Sequence, residues 1–252
     1  MGSSMYQHGH AVIIGASVAG LMAAGAARHH FERVTVVERD DLPTRPVPRK
    51  GVPQGSQIHV LLPIGLEYME RVYPSIRCDF LASGCHAYDE LADIAYLTEV
   101  GWRQRVRSAE GIGFRRPVLE LAIRRRLSDA PNVAFHHGSV RALTATDDGS
   151  RITGVVLGDE TTLTADFVVN ATGRRTQVTK WLSALGFEAP RESYLNAYMG
   201  YATQFIKVPD GALPDGVLGF EAFPWPGQHE GAVLLPVDNG LHVNRPWFVG
   251  GS

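Results

Sequence analysis

Cysteine is scarce in this chain: 252 residues hold two, Cys78 and Cys85, with no C-x-x-C spacing. That excludes a disulfide framework and points to a reduced, cytoplasmic setting. Long apolar runs are missing too. Ala11–Gly15 and Gly20–Ala27 fall far short of the about 20 residues that cross a bilayer, and the N-terminus has no basic stretch ahead of an apolar core, so no signal peptide is expected. Neither sign of charge dominates: 24 Lys and Arg stand against 26 Asp and Glu, without the basic excess that nucleic-acid binding requires. The one basic run, Arg124-Arg125-Arg126, sits in a helical pattern and is expected to form a solvated helix face. A G-x-S-x-G elbow and a P-loop are both absent, which removes the signatures of hydrolases and NTPases. His136 and His137, adjacent on a predicted strand, point to opposite faces and cannot chelate one metal. No other spacing suggests a metal site.

What the chain does have is a hydrophobic content of 44%, enough for a sizeable core in one or two domains. Ala11-Val12-Ile13-Ile14 reads as a buried parallel strand that stops at Gly15. Val18 to His30 reads as a helix of small residues, and Val34–Val37 as a second strand ending at Glu38. Together they make one βαβ unit. Asp40 to Gln57, rich in Pro, Gly and Arg, is expected to be a long functional loop. Apolar residues at helical spacing predict a helix from Ile58 to Val72, and Pro117 starts another over Val118–Leu127. Strands are predicted at Val133–Phe135, Val140–Thr144, Ile152–Leu157 and Phe167–Val169, with hairpin turns at Asp147-Asp148-Gly149 and Gly158-Asp159-Glu160. Val178–Leu185 is a short helix closed by Gly186. Beyond Arg191 longer strand-like stretches follow, Tyr198–Val208, Val217–Phe223 and Ala232–Val237. A domain boundary is therefore expected near residue 190.

Gly15-Ala16-Ser17-Val18-Ala19-Gly20 fits G-x-G-x-x-G except at Ser17. Gly15 allows the tight strand-to-helix turn, the second position lets the backbone approach a pyrophosphate, and Gly20 lets helix and strand pack closely. The helix N-terminus offers free N–H groups to phosphates. The motif follows a strand and opens a helix, the context that gives it meaning. Glu38 lies 23 residues after Gly15, near the offset of about 20 at which an acid bonds a ribose diol. A negative charge there disfavours a 2′-phosphorylated nucleotide and leaves NAD and FAD. As a strand-end residue, Glu38 is expected to contribute little to folding.

Three further stretches resemble the single-component flavin monooxygenases, with the greatest similarity to the bacterial branch that contains polyether epoxidases. They are Glu38-Arg39-Asp40 with Arg49-Lys50-Gly51-Val52-Pro53-Gln54-Gly55 and His59; Phe114-Arg115-Arg116-Pro117-Val118-Leu119-Glu120; and Asp166–Arg174, which is similar to a "VVDATGR" segment with Asn170 in place of Asp. The resemblance runs from about residue 11 to 237. It implies an α/β fold, with a Rossmann-type FAD-binding domain at 1–190 carrying inserted strands around 86–115, and the start of an antiparallel substrate-domain sheet at 191–252. It implies FAD as cofactor, NAD(P)H as transient reductant, and oxygen transfer to a lipophilic small molecule. The residues expected at the cofactor are Gly15, Ala16, Ser17, Ala19, Gly20, Glu38, Arg39, Arg49, Gln54, Arg116, Thr172 and Gly173. Arg49 and Arg116 suit a pyrophosphate, since guanidinium contacts phosphate oxygens bidentately; a surface salt bridge is the alternative for each. His59 either faces the flavin or simply opens a helix. No residue stands out as a general acid or base, because the cofactor carries the chemistry.

The chain departs from the family in two places. A late Gly-Asp motif that meets the flavin ribityl chain is missing (the absent W-x-W-x-I-P motif is no departure, and only sets the chain apart from flavin halogenases). Residues 243–252 do not read as the strand the family shows there. A shortened chain, a frame-shifted one and a fragment of a longer one are the readings of this ending, with weak FAD binding and association through exposed sheet edges as the expectation. Flavin-dependent dehydrogenation without oxygen insertion, and a non-catalytic FAD-binding remnant, are the competing readings.

Overall fold

The computed structural model describes residues 8–196 and 198–249. The chain opens with β1 (His8–Ile14), α1 (Val18–Ala27) and β2 (Phe31–Glu38). After a long loop come β3 (Ile58–Leu61), α2 (Pro63–Val72), α3 (Ile76–Ala82), β4 (His86–Asp89), β5 (Ile94–Thr98), β6 (Gly101–Trp102), β7 (Glu110–Arg115) and α4 (Arg116–Ser128). Then follow β8 (Val133–His137), β9 (Val140–Ala145), β10 (Ile152–Leu157), β11 (Thr162–Thr164), β12 (Phe167–Asn170) and α5 (Val178–Ala184). The last stretch carries β13 (Met199–Tyr201), β14 (Gln204–Ile206), β15 (Gly219–Ala222), β16 (Glu230–Pro236) and β17 (His242–Val249). These elements divide into two compact units. One runs to Pro53 and resumes over Ile123–Ser193; the other holds Gln54–Ala122 and the chain from Tyr194 onward.

The first unit is built on a parallel sheet of order β12-β1-β2-β8. β1 is its middle, and Ala11 to Ile14 are buried on both faces, as expected of a strand covered on each side. α1 packs on β1 and β2 through Gly20, Leu21, Ala24, Gly25 and Ala27, and the small side chains keep that helix close to the sheet. Val12, Ile14 and Val37 join Leu143, Val155 and Leu157 of the antiparallel β11-β10-β9 sheet in one core, with Trp181 and Leu182 of α5 against it. α5 ends in a Schellman closure. Gly186 takes φ +83°, its N–H reaches the Ser183 carbonyl, and the Phe187 N–H reaches Leu182.

The second unit pairs β3-β7-β4 in a small antiparallel sheet and β13-β17-β16-β15-β5-β6 in a larger one, with β14 also on β17. In the larger sheet β15 and β5 run parallel and the other pairs are antiparallel. Tyr88, Ile94, Val233, Leu235 and Val243 form its core, with Val60 of β3 packed on them. Arg115 ties β7 to the turn after β16: its backbone N–H and guanidinium both reach the fully buried Asp238 carboxylate, at 2.7–3.0 Å.

Several expectations need correction. Residues 58–61 are a strand, not helix: they pair with β7, and Pro63 at the first helical position starts α2. Tyr198–Val208 breaks into β13 and β14, with Tyr198 at φ +49°. The segment from 242 to 249 is a strand after all, and it pairs with β16, β13 and β14. Of the basic run, Arg124 is buried and its Nη2 donates to the Pro43 carbonyl, whereas Arg125 is exposed.

Candidate cofactor site

At the carboxyl ends of the parallel strands, β1 stops at Gly15, where φ is +102°. A Cβ on Gly15 would lie 2.9 Å from the Ala171 carbonyl oxygen, and one on Gly20 would lie 1.8 Å from the Gly15 carbonyl oxygen. Both positions are therefore closed to any side chain, and the turn runs flush against the end of β12. Ser17 has extended φ and ψ and sits at the N-cap of α1, so its Cβ costs the turn nothing in backbone strain. The first N–H groups of α1 are left without helical partners, as at every helix N-terminus, and they form an anion-accepting end. Ala16 is buried and Ala19 exposed.

Glu38 closes β2, and it is 7% exposed. Its Oε2 accepts the Ala16 N–H at 2.8 Å and faces Arg49 Nη1 at 2.9 Å, while Oε1 accepts the Asp40 N–H at 3.0 Å. Arg49 returns through Nη2 to the Ala16 carbonyl at 2.9 Å and through Nη1 to Asp40 Oδ2 at 3.2 Å. Asp40 Oδ2 also accepts the Gly51 N–H at 2.6 Å. The long loop is thus tied to the Gly15–Gly20 turn by one buried ion network. Glu38 is not the marginal strand-end residue expected from its position, because removing it would leave Arg49 buried without its main counter-charge. Asp40 is a member that sequence reasoning passed over. Its signal was available, since it stands two residues beyond Glu38 in a loop rich in arginine.

β12 brings a third segment to the same edge. The Ala171 N–H bonds the Ile14 carbonyl at 2.8 Å. Asn170 Nδ2 donates to Thr176 Oγ1 at 2.8 Å, and Asn170 Oδ1 accepts from Thr172 Oγ1 at 2.7 Å. Asn170 thus donates to one threonine and accepts from the other, closing a local clasp; an aspartate could only accept, from both hydroxyls. Gly173, at φ +73°, opens the short 3-10 turn that follows.

Gly15, Ala16, Ser17, Gly20, Glu38, Arg49 and the Ala171–Gly173 stretch are therefore brought together. Arg39 is exposed at the end of β2, where its carbonyl accepts from His137 Nε2 at 3.1 Å. Gln54 and Arg116 belong to the second unit. Gln54 is exposed in the 3-10 turn Pro53–Ser56, and Arg116 donates through Nε to the buried Glu120 carboxylate at 2.9 Å. His59 lies on β3, in the second unit as well. Its Nδ1 is 3.0 Å from the Gln57 carbonyl, and its ring stacks on Phe114 with centroids 6.1 Å apart. Burial, then the Arg116 guanidinium, pulls its pKa down to about 4, so the ring is neutral at pH 7.

The sequence matches the model of a family described as FAD binding domain over residues 9–247. The chain belongs to that family. Protein Rv3254 of Mycobacterium tuberculosis (strain ATCC 25618 / H37Rv) is 32% identical over 223 residues, covering 83% of this chain and 47% of that protein. The chain thus spans about half the length of this curated relative. Two solved structures share the fold. PqsL, a probable FAD-dependent monooxygenase from Pseudomonas aeruginosa, matches with a TM-score of 0.69 at 16% identity, over 95% of this chain and 61% of that one. CtdE in complex with FAD matches with a TM-score of 0.64 at 12% identity, over 97% and 60%. The FAD-family residues fit their cofactor: two positions that any Cβ would block, an open helix N-terminus, and a buried acid at the end of the second strand. Among the described residues no helix is long and apolar enough to cross a membrane.

Proposed function

We propose that this chain is the FAD-holding part of an oxidoreductase, a monooxygenase of the epoxidase-like branch acting on a lipophilic small molecule, with NAD(P)H as the reductant. The observation that carries this reading is the closure of Gly15 and Gly20 against Ala171 beside the Glu38–Arg49 pair. Ala19 and Gly20, in the first turn of α1, present backbone N–H groups to the pyrophosphate, and Gly15, Ala16 and Ser17 form the turn that lets it approach. Glu38 offers the free lone pair of Oε1 to the ribose diol, and Arg49 holds it in place while neutralising charge. Thr172 and Gly173 border the same edge. Arg39, Gln54 and Arg116 are assigned to the cofactor from the family resemblance. Bound flavin supplies electron transfer from NAD(P)H and activation of O2. The chain's own residues bind, orient and exclude water, and His59 stays uncharged.

The test is a titration of flavin-free protein with FAD, NAD and NADP, followed by absorbance under air with NADPH. FAD is expected to bind tightest, and a converted substrate to gain the mass of one oxygen atom. Tighter NAD binding would overturn the cofactor assignment. Conversion without the added oxygen would establish a dehydrogenase instead.

A further inference from the structure

At the other end of the parallel sheet from Gly15, where β1 and β2 begin and β11 gives way to β12, the first unit holds an open cavity of about 590 Å³. Its floor at Gly9 and His10 lies roughly 16–20 Å along β1 from the Gly15 turn, at about 3.3 Å per residue. Arg33, Arg151, Glu32 and Asp166 bring charge to the lining, and His10 stands among them, 7% exposed.

His10 decides what Arg33 can do. Its Nδ1 is 2.6 Å from the Thr164 carbonyl, which only accepts, so Nδ1 carries a proton. Arg33, the register partner of His10 on β2, places Nη2 3.1 Å from that same Nδ1. Two N–H groups meet there and neither can accept, so the guanidinium gains no bond from the ring. Among the described residues nothing else bonds or pairs with the Arg33 side chain, and nothing with that of Arg151. Asp166 is anchored from below. Its Oδ2 accepts the His10 N–H at 2.9 Å, seated over Gly9, where a Cβ would lie 2.8 Å from that oxygen. Its Oδ1 has no hydrogen bond, and neither arginine pairs with the carboxylate, again among the described residues. Unpaired groups of both signs therefore face one space. A simple anion would meet Asp166 and Glu32 there, and a simple cation would meet Arg33 and Arg151. A ligand that carries both charges suits the whole lining.

We propose that this cavity binds a small zwitterion of the α-amino-acid kind, with its carboxylate between Arg33 and Arg151 and its ammonium group on Asp166 Oδ1. It is a second site, at the sheet end away from the cofactor turn, and it does not depend on the flavin assignment.

L-Phenylalanine, 3-phenylpropionate and 2-phenylethylamine are the probes, since the second lacks the ammonium group and the third the carboxylate. Calorimetric titration of the full chain is expected to show saturable binding of L-phenylalanine. It should bind about tenfold or more tighter than either relative, each of which loses one charge-assisted contact. In the Arg33→Gln, Arg151→Gln double variant the advantage over 2-phenylethylamine should vanish. In Asp166→Asn the advantage over 3-phenylpropionate should vanish. Both arginines are exposed, and an asparagine still accepts the His10 N–H, so thermal melts are expected to match the parent protein. If Asp166→Asn melts early, the double variant alone carries the test. Lack of saturable L-phenylalanine binding, equal binding of either relative, or an advantage over 2-phenylethylamine kept in the double variant would overturn the site.

Discussion

Arg49 reaches both Glu38, at 2.9 Å from Oε2, and the Ala16 carbonyl, at 2.9 Å through its other terminal nitrogen. One guanidinium therefore joins the end of β2 to the turn between β1 and α1. Both side chains are under 10% exposed. Deleting Glu38 leaves Arg49 buried with Asp40, at 3.2 Å, in place of its nearer carboxylate, at a cost of about 3 kcal/mol, the low end for breaking a buried pair. Glu38→Ala is accordingly expected to lower stability by roughly that amount in urea denaturation of flavin-free protein, and to weaken FAD as well. A variant with unchanged stability would mean that water reaches Arg49.

Arg49→Lys keeps the charge but loses the fork that spans Glu38, Asp40 and the Ala16 carbonyl. FAD affinity is expected to fall about tenfold, equivalent to about 1.4 kcal/mol, by the loss of one charge-assisted bond. Calorimetric titration compares the two proteins directly, and equal affinities would reduce Arg49 to a point charge.

Gly20→Ala places a Cβ on the Gly15 carbonyl oxygen. Because the obstacle is backbone, the helix must move off the sheet. The expected result is loss of FAD binding and a destabilisation of about 3 kcal/mol or more, in the range of overpacking and strain. Ser17→Gly, at a position with ordinary extended angles, should leave stability within about 1 kcal/mol. Thermal melts of the two variants make the contrast.

His59 titrates at about 4 in the folded chain and near 6.5 when unfolded. The unfolded state thus binds the proton more readily, so stability is present above pH 6.5 and is lost as the pH falls from 6.5 towards 4. The slope from this one group reaches about 1.4 kcal/mol per pH unit. Urea midpoints measured over that range should fall less steeply in His59→Gln. Parallel curves would show that the imidazole is solvated.

Asn170→Asp replaces the donor to Thr176 by an acceptor and adds a negative charge beside the Gly15–Gly20 turn. A stability loss of about 1 kcal/mol and weaker FAD binding are expected from denaturation and titration. No change in either would make the clasp incidental.

The βαβ unit was legible because its signals are local. Four apolar residues, a glycine, a helix of small side chains and a terminal acid all lie between His8 and Glu38. The hairpin turns around β10 carried Gly and Asp in the same local way. Residues 58–61 misled because Ile58, Leu61 and Leu62 satisfy a helical spacing as well as a strand, and only pairing with β7 decides between them. β17 was hidden by Arg245 and Pro246, which look unlike strand residues until Ala232 and Val233 are set opposite them. The Arg115–Asp238 pair joins residues 123 positions apart, and no pattern in a single sequence reports such a contact. Glu38 could be placed, but its burial could not, since that depends on Arg49 folding back across the turn.

β1 lies between two partners made at very different times. Val34 of β2, the partner of Ala11 on one side, comes 23 residues later, whereas Phe167, its partner on the other side, comes 156 residues later. At about 5–20 residues per second, a ribosome needs roughly 8–30 s to supply it. Through that interval the β12-facing edge of Ala11-Val12-Ile13-Ile14 is bare, and all four residues are apolar. Nascent protein is therefore expected to be open to mispairing along this edge until residue 170 emerges.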